Sequence, residues 1–301
     1  MSQPAITHEG RMPAHTNRPS RWSRDSFQKR VFAPGVSHAV MIITVLLTLI
    51  PLIYAVLLAT QVPEQYYQFP PRILPGSSLL DNSRYAWDII HMDRLLLNTT
   101  IISLVVAIGK IFLSILAGFA FVYFEFPGKG WVFILILLTH MLPVPVRIVP
   151  TFELLDQMGW VDTYAGLTIP FLASATGTLL FRQLYQTIPP SLADAARMDG
   201  AGPMRFLWSI VMPLSRTNIA ALFLVEFIYM WNQYLWPLII ANSDATRVVQ
   251  IGLKQLVATD AAVEWHYVMA GTVISTLPPL IVLIVLQHSL LEGMSLYEEK
   301  S

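Results

Sequence analysis

Apolar residues in this chain fall into six long runs, separated by polar segments that carry Pro and Gly. A helix needs about 20 mostly apolar residues to cross the roughly 30 Å hydrocarbon core of a bilayer. The runs predict spans over about 36–60, 95–124, 131–149, 163–181, 217–241 and 267–291. The first has no Asp, Glu, Lys or Arg, the second is interrupted only by Lys110, and the fifth carries Glu226. Inside lipid, every backbone polar group must be paired within the protein, which selects helices for runs of this length. They are too long for barrel strands and lack strict alternation. The expected fold class is all-α, a polytopic membrane protein. The first run is longer than the apolar region of a cleaved signal peptide and follows a polar stretch. Residues 1–35 read as a flexible basic tail and residues 293–301 as a C-terminal tail.

Composition sharpens this reading by exclusion. Hydrophobic residues make up 54% and charged residues 13%, against about 25% charged in soluble domains. A disordered chain, a nucleic-acid binder and a conventional soluble enzyme are thereby removed. With no cysteine, disulfides and thiolate metal sites are removed as well.

The formal charge is zero, yet sorting it by side reveals two unlike faces. One side holds Arg11, Arg18, Arg21, Arg24, Lys29, Arg30, Lys129, Arg182, Arg197, Arg205, Arg216 and Lys300. The other holds Arg72, Arg84, Arg94, Arg247 and Lys254. Twelve basic against eight acidic residues give the first a net +4, and five against ten give the second −5. The side richer in Lys and Arg is expected to be cytoplasmic, which puts both termini inside.

The segment 182–216 is too long and too patterned for a simple connector. Pro189 and Pro190 end the preceding helix; Ser191 is an expected N-cap, with Asp194 in the capping-box position. A short helix is expected over Leu192 to Met198, then a turn permitted by Gly200 and Gly202. A second amphipathic piece, Met204 to Val211, is expected to end before Pro213. Met198, Met204, Phe206, Leu207 and Trp208 are too apolar to face water as a group, so the loop needs a partner.

The spacing Asp194-Ala195-Ala196, three residues, Gly200, nine residues, Ile210, two residues, Pro213 resembles the signature of membrane subunits of binding-protein-dependent ABC importers. That signature reads Glu-Ala-Ala, three residues, Gly, nine residues, Ile, then Leu-Pro; here Asp194 stands for the Glu and Met212 for the Leu. The resemblance is to the maltose-type second permease class and covers nearly all of the chain after residue 35. Leu142 to Thr151, Tyr164 to Thr168, Ala173 to Thr176, Pro203 to Phe206 and Phe227 to Pro237 are similar to its sn-glycerol-3-phosphate branch. The resemblance implies a second, homologous permease subunit, two copies of an ABC ATPase subunit and a periplasmic substrate-binding protein. It implies that the short helix docks on the ATPase. Asp194 and Asp199 would offer charged contacts, Ala195 and Ala196 close approach, and Gly200 the turn. Ile210 and Pro213 complete the signature. It further implies uptake of sn-glycerol-3-phosphate or a related glycerophosphodiester by alternating access, with a neutral sugar or sugar alcohol as the alternative cargo.

The chain has no phosphate-binding loop of the Gly-x-x-x-x-Gly-Lys-Ser/Thr type. ATP and Mg are therefore expected on the partner ATPase, and no catalytic residue, cofactor or metal is expected in this chain. A secondary transporter, the reading from a different class, would need ion-coupling carboxylates and usually inverted repeats. A membrane enzyme would need a ligand cluster that His140 and His266 do not supply.

Charges inside a bilayer cost at least a few kcal/mol unless paired or wetted. Lys110 and Glu226 sit at depths where they can pair across the bundle, either as packing or as part of the permeation path. Arg147 follows two prolines at the end of the third span. It either snorkels to the headgroups or offers a fork for phosphate. His140, shortly before it, reads as a packed, hydrogen-bonded residue. Trp231 and Trp236 read as interfacial belt residues, while the amides of Asn232 and Gln233 are candidates to line the substrate path.

Overall fold

A computed structural model describes residues 34–257 and 263–298. The expected basic tail before residue 34, the last residues of the C-terminal tail and the side-chain packing of His140 lie outside the described residues. The regular elements among the described residues are helices, with no strand. Two units are distinguished, residues up to Ile53 and residues from Tyr54 onward. Helix α1, Pro34–Thr60, is apolar all round, as expected of a helix solvated by lipid tails.

In the second unit follow α2 (Pro63–Tyr66), α3 (Leu79–Ile89), α4 (Met92–Tyr123), α5 (Lys129–His140) and α6 (Val144–Gln157). Then come α7 (Tyr164–Phe171), α8 (Ala175–Gln186), α9 (Pro190–Met198), α10 (Pro203–Leu214) and α11 (Arg216–Trp231). Helices α12 (Leu235–Ile240), α13 (Val249–Val257) and α14 (Trp265–Glu298) complete the order. Helix α4 is the centre of this unit, packed against α8 and α11, while α14 lies against α11 and α3.

Among the described residues three helices are long and apolar enough to cross a membrane unbroken: α1, α4 and α14. The other expected spans are interrupted. The third, expected as one helix over 131–149, is divided into α5 and α6 at Met141 to Pro143. Pro143 lacks an N–H and biases Leu142 away from the helical region. Its own φ of −57° and ψ of 141° lie outside the helix it precedes. The fourth, expected over 163–181, bends by 42° between α7 and α8. Each half has its own N-cap: Thr163 Oγ1 accepts from the Gly166 N–H at 3.2 Å, and Ser174 Oγ from the Gly177 N–H at 3.0 Å. An apolar run thus hides two starts, each satisfied by a hydroxyl. The fifth, expected over 217–241, stops at Trp231, and α12 resumes at Leu235. The sixth continues through Pro278 and Pro279 to Glu298. Helices α3 and α13 fall in segments read from sequence as connections.

Close packing joins α4 to α8. A Cβ on Gly118 would stand 2.8 Å from Phe181 Cβ and 3.0 Å from Arg182 N, distances that a side chain cannot occupy. Around this contact Ile111, Ile115, Phe119, Phe181, Tyr185 and Leu207 form one buried cluster.

Candidate functional site

The segment 182–216 keeps the expected helix-turn-helix form, with three corrections. Helix α9 starts at Pro190, with Pro189 at the N-cap and no side-chain cap bond. The expected Ser191–Asp194 capping box is absent because Pro190 occupies the first helical position, where its missing N–H costs nothing. Asp194 instead pairs with Arg197 at 3.1 Å on the exposed surface. The second piece does not end before Pro213. Helix α10 runs through it to Leu214, with a π-helical turn over Leu207–Val211.

The turn between the two pieces belongs to Gly200 alone, at φ +74°. The Ala201 N–H donates to Ala196 O at 2.8 Å and the Gly200 N–H to Arg197 O at 3.0 Å, which is a Schellman C-cap. Gly202, at φ −69°, has an ordinary conformation. The apolar group also divides. Phe206 and Leu207 are buried against the chain's own α4 and α8, whereas Met198, Met204 and Trp208 remain exposed, Met198 at 89%. Of the signature residues, Asp194, Ala195, Asp199, Gly200 and Pro213 are exposed and Ile210 is half-buried, while Ala196 is seated beneath α9. One face of the motif builds the fold, and the other is left as a surface of two carboxylates beside large flexible methionines.

Inside the bundle, Lys110 of α4 and Glu226 of α11 do pair. Lys110 Nζ donates to Glu226 Oε2 at 2.6 Å, and both residues are only 7% exposed. Ser174 donates its hydroxyl to Glu226 Oε1 at 3.2 Å. The Lys110 ammonium also lies 4.8 Å from the Tyr229 ring centroid, a favourable cation–π position. Reasoning from the sequence missed Ser174 and Tyr229. A hydroxyl within an apolar run, three residues before Gly177, was the available sign of an N-cap.

The other candidates are elsewhere. Arg147 is exposed on α6, beside Ile148, Thr151, Phe171 and Trp236, and makes no ion pair among the described residues. The Asn232 amide donates to Ile228 O at 2.9 Å and that of Gln233 to Tyr229 O at 3.5 Å, each on the last turn of its own helix. Trp231 and Trp236 are not belt residues. Each is 2% exposed, and their indole N–H groups donate to Ser275 O and Gly166 O, both at 3.1 Å. A buried indole needs such a partner.

At the end of α4 opposite to segment 182–216, polar side chains, among them the buried Asn98 and Thr99, hold the stretch from Asn242 to Val249. The Asn98 amide donates to Ala245 O at 3.0 Å and Arg247 O at 2.9 Å, and accepts from the Tyr164 hydroxyl at 2.6 Å. The Val249 N–H donates to Thr99 Oγ1 at 2.9 Å. Asp162, at φ +58°, accepts from the Asn242 and Ser243 N–H groups and from the Thr246 hydroxyl. Partial burial by itself raises the Asp162 carboxyl, but these hydrogen bonds outweigh it and leave the group below the ordinary carboxylate range. Sequence reading missed all of these anchors, since single polar residues at the mouths of apolar runs carry no spacing pattern. Among the described residues no group of three His, Cys, Asp or Glu is placed to hold a metal ion.

Comparison with known proteins agrees with this architecture. The profile of the family described as binding-protein-dependent transport system inner membrane component matches residues 110–295. The sn-glycerol-3-phosphate transport system permease protein UgpE of Agrobacterium fabrum is 41% identical over 275 residues, 89% of this chain and 98% of the relative. The protein of the same name from Pectobacterium atrosepticum is 43% identical over 265 residues, 86% of this chain and 94% of the relative. A crystal structure of a bacterial ABC transporter involved in import of the acidic polysaccharide alginate has the same fold, with a TM-score of 0.75. Its identity is 23%, with 89% of this chain and 98% of that chain covered. This all-α, multi-pass chain therefore belongs to the family of inner membrane components of binding-protein-dependent transport systems.

Proposed function

We propose that this chain is one permease subunit of an ATP-driven importer for sn-glycerol-3-phosphate or a related glycerophosphodiester. The supporting observation is the identity of 41% to a permease with that printed role, extending over 98% of the relative's length. The importer would comprise this chain, a second homologous permease, two ATPase subunits and a substrate-binding protein. Both termini would face the ATPase side. The exposed face of α9, with Asp194, Ala195 and Asp199, would dock on the ATPase. Ala196 and the Gly200 turn would hold that face in position. ATP-driven closure of the ATPase pair would then move α9 and alternate the access of the path. Among the described residues Arg147, Asn232 and Gln233 make no bond to a charged side chain, and they would line the substrate path. No covalent chemistry takes place on the cargo.

The test is ATP-dependent uptake in proteoliposomes holding the complete importer. Labelled sn-glycerol-3-phosphate should accumulate only with ATP and the binding protein present. Accumulation of a neutral sugar in its place would reject the phosphate cargo. Deletion of residues 194–200 should abolish copurification of the ATPase with the membrane bundle intact, and retained copurification would reject the docking role.

A further inference from the structure

The Lys110–Glu226 pair lies where the bent fourth span begins its second half. Ser174 is the N-cap of α8, and its hydroxyl does two things at once. It accepts from the Gly177 N–H at 3.0 Å, closing the first turn of α8, and donates to Glu226 Oε1 at 3.2 Å. Glu226 in turn belongs to α11 and is held by Lys110 of α4 at 2.6 Å. The helix before Lys110 also touches the break: a Cβ on Gly109 would stand 2.5 Å from Leu172 Cδ2. At its other end, α8 is separated from α9 only by Thr187 to Pro189. Helix α8 is thus a short rod, tied by charge at one end and joined to the α9 surface at the other.

We propose that Lys110, Glu226 and Ser174 are positioning residues that lock the bend of the fourth span. A displacement of α9 is then passed through α8 to α4 and α11 instead of being absorbed at the bend. The physical reason is that a 42° break leaves helix-end groups without intrahelical partners and is the compliant point of the span. A cluster in low dielectric makes that point stiff, because separating the charges would leave each buried and uncompensated. Neither Lys110 nor Glu226 touches cargo in this role, since each charge is consumed by the other.

The inference rests on the import reading above, and its test keeps the two apart. In proteoliposomes, wild-type importer should show hydrolysis stimulated by the loaded binding protein. Absence of stimulation there would remove the import reading, and this proposal with it. Ser174→Ala should assemble as wild type and keep basal hydrolysis, yet take up roughly threefold to thirtyfold less cargo per ATP hydrolysed. Ser174→Thr should restore the ratio, because Thr also caps. For the charges, Glu226→Gln should lower the same ratio, and the exchange Lys110→Glu with Glu226→Lys should recover part of it. A wild-type ratio in Ser174→Ala overturns the proposal. So does a set of variants that differ only in the amount assembled, which would make the cluster a matter of folding alone.

Discussion

The two ends of α4 are built by different physics. At the end near Asn98, a backbone stretch is held by side-chain hydrogen bonds with Asn98, Thr99 and Asp162, and the Tyr164 hydroxyl in turn holds Asn98. At the end near Phe119, apolar packing seats Ala196, Phe206 and Leu207, and a backbone C-cap closes the turn. Directional bonds fix one geometry and fail abruptly when a partner is lost. Apolar contact is tolerant of small shifts. The first end is a frame of directional bonds, and the second presents a surface seated on apolar packing.

The comparison would break first at Asn98. Asn98→Ala strands the carbonyls of Ala245 and Arg247 and the Tyr164 hydroxyl, and should cost about 1–3 kcal/mol, read as a lowered midpoint of thermal unfolding in detergent. An unchanged midpoint would mean that the stretch from Asn242 to Val249 is held by something other than these bonds. At the opposite end, Gly200→Val forces a β-branched residue into the left-handed region, at about 1–2 kcal/mol. The loss should be local, appearing as faster amide exchange in α9 with the bundle unaffected; global unfolding would show that this end is also part of the frame.

The smallest effect is that of acid on Asp162. Its carboxyl is lowered in the folded state, so its stabilisation is complete above the ordinary carboxylate range and is lost as pH falls through the lowered value. The wild-type midpoint should therefore fall more on acidification than that of Asp162→Asn. Equal falls would remove Asp162 from the frame.

The α9 motif was legible because its chemistry is local. Asp194-Ala195-Ala196 and Gly200 lie within two turns of chain, and the glycine needed only a positive φ. The charged pair was half legible. Lys110 and Glu226 are conspicuous because charge is rare in apolar runs, but Ser174 is one hydroxyl among many until the bend aims it at Glu226. The breaks in the third, fourth and fifth spans were blurred by hydropathy, which averages over a window and passes over a three-residue interruption. Trp231 and Trp236 were misread for a related reason. An aromatic near a span end is belt or core according to what stands beside it, and Ser275 and Gly166 are remote in sequence.

By itself the sequence determined that this chain is a bundle of membrane helices with a patterned loop between the fourth and fifth apolar runs. Length, hydropathy and the cost of unpaired backbone in lipid leave no other solution. Only the tertiary structure decided which polar groups meet. It joined Lys110 to Glu226 and to the cap of α8, and gave Phe206 to the core and Met198 to the surface. Burial and hydrogen bonding depend on neighbours brought together by folding, and no local pattern encodes them.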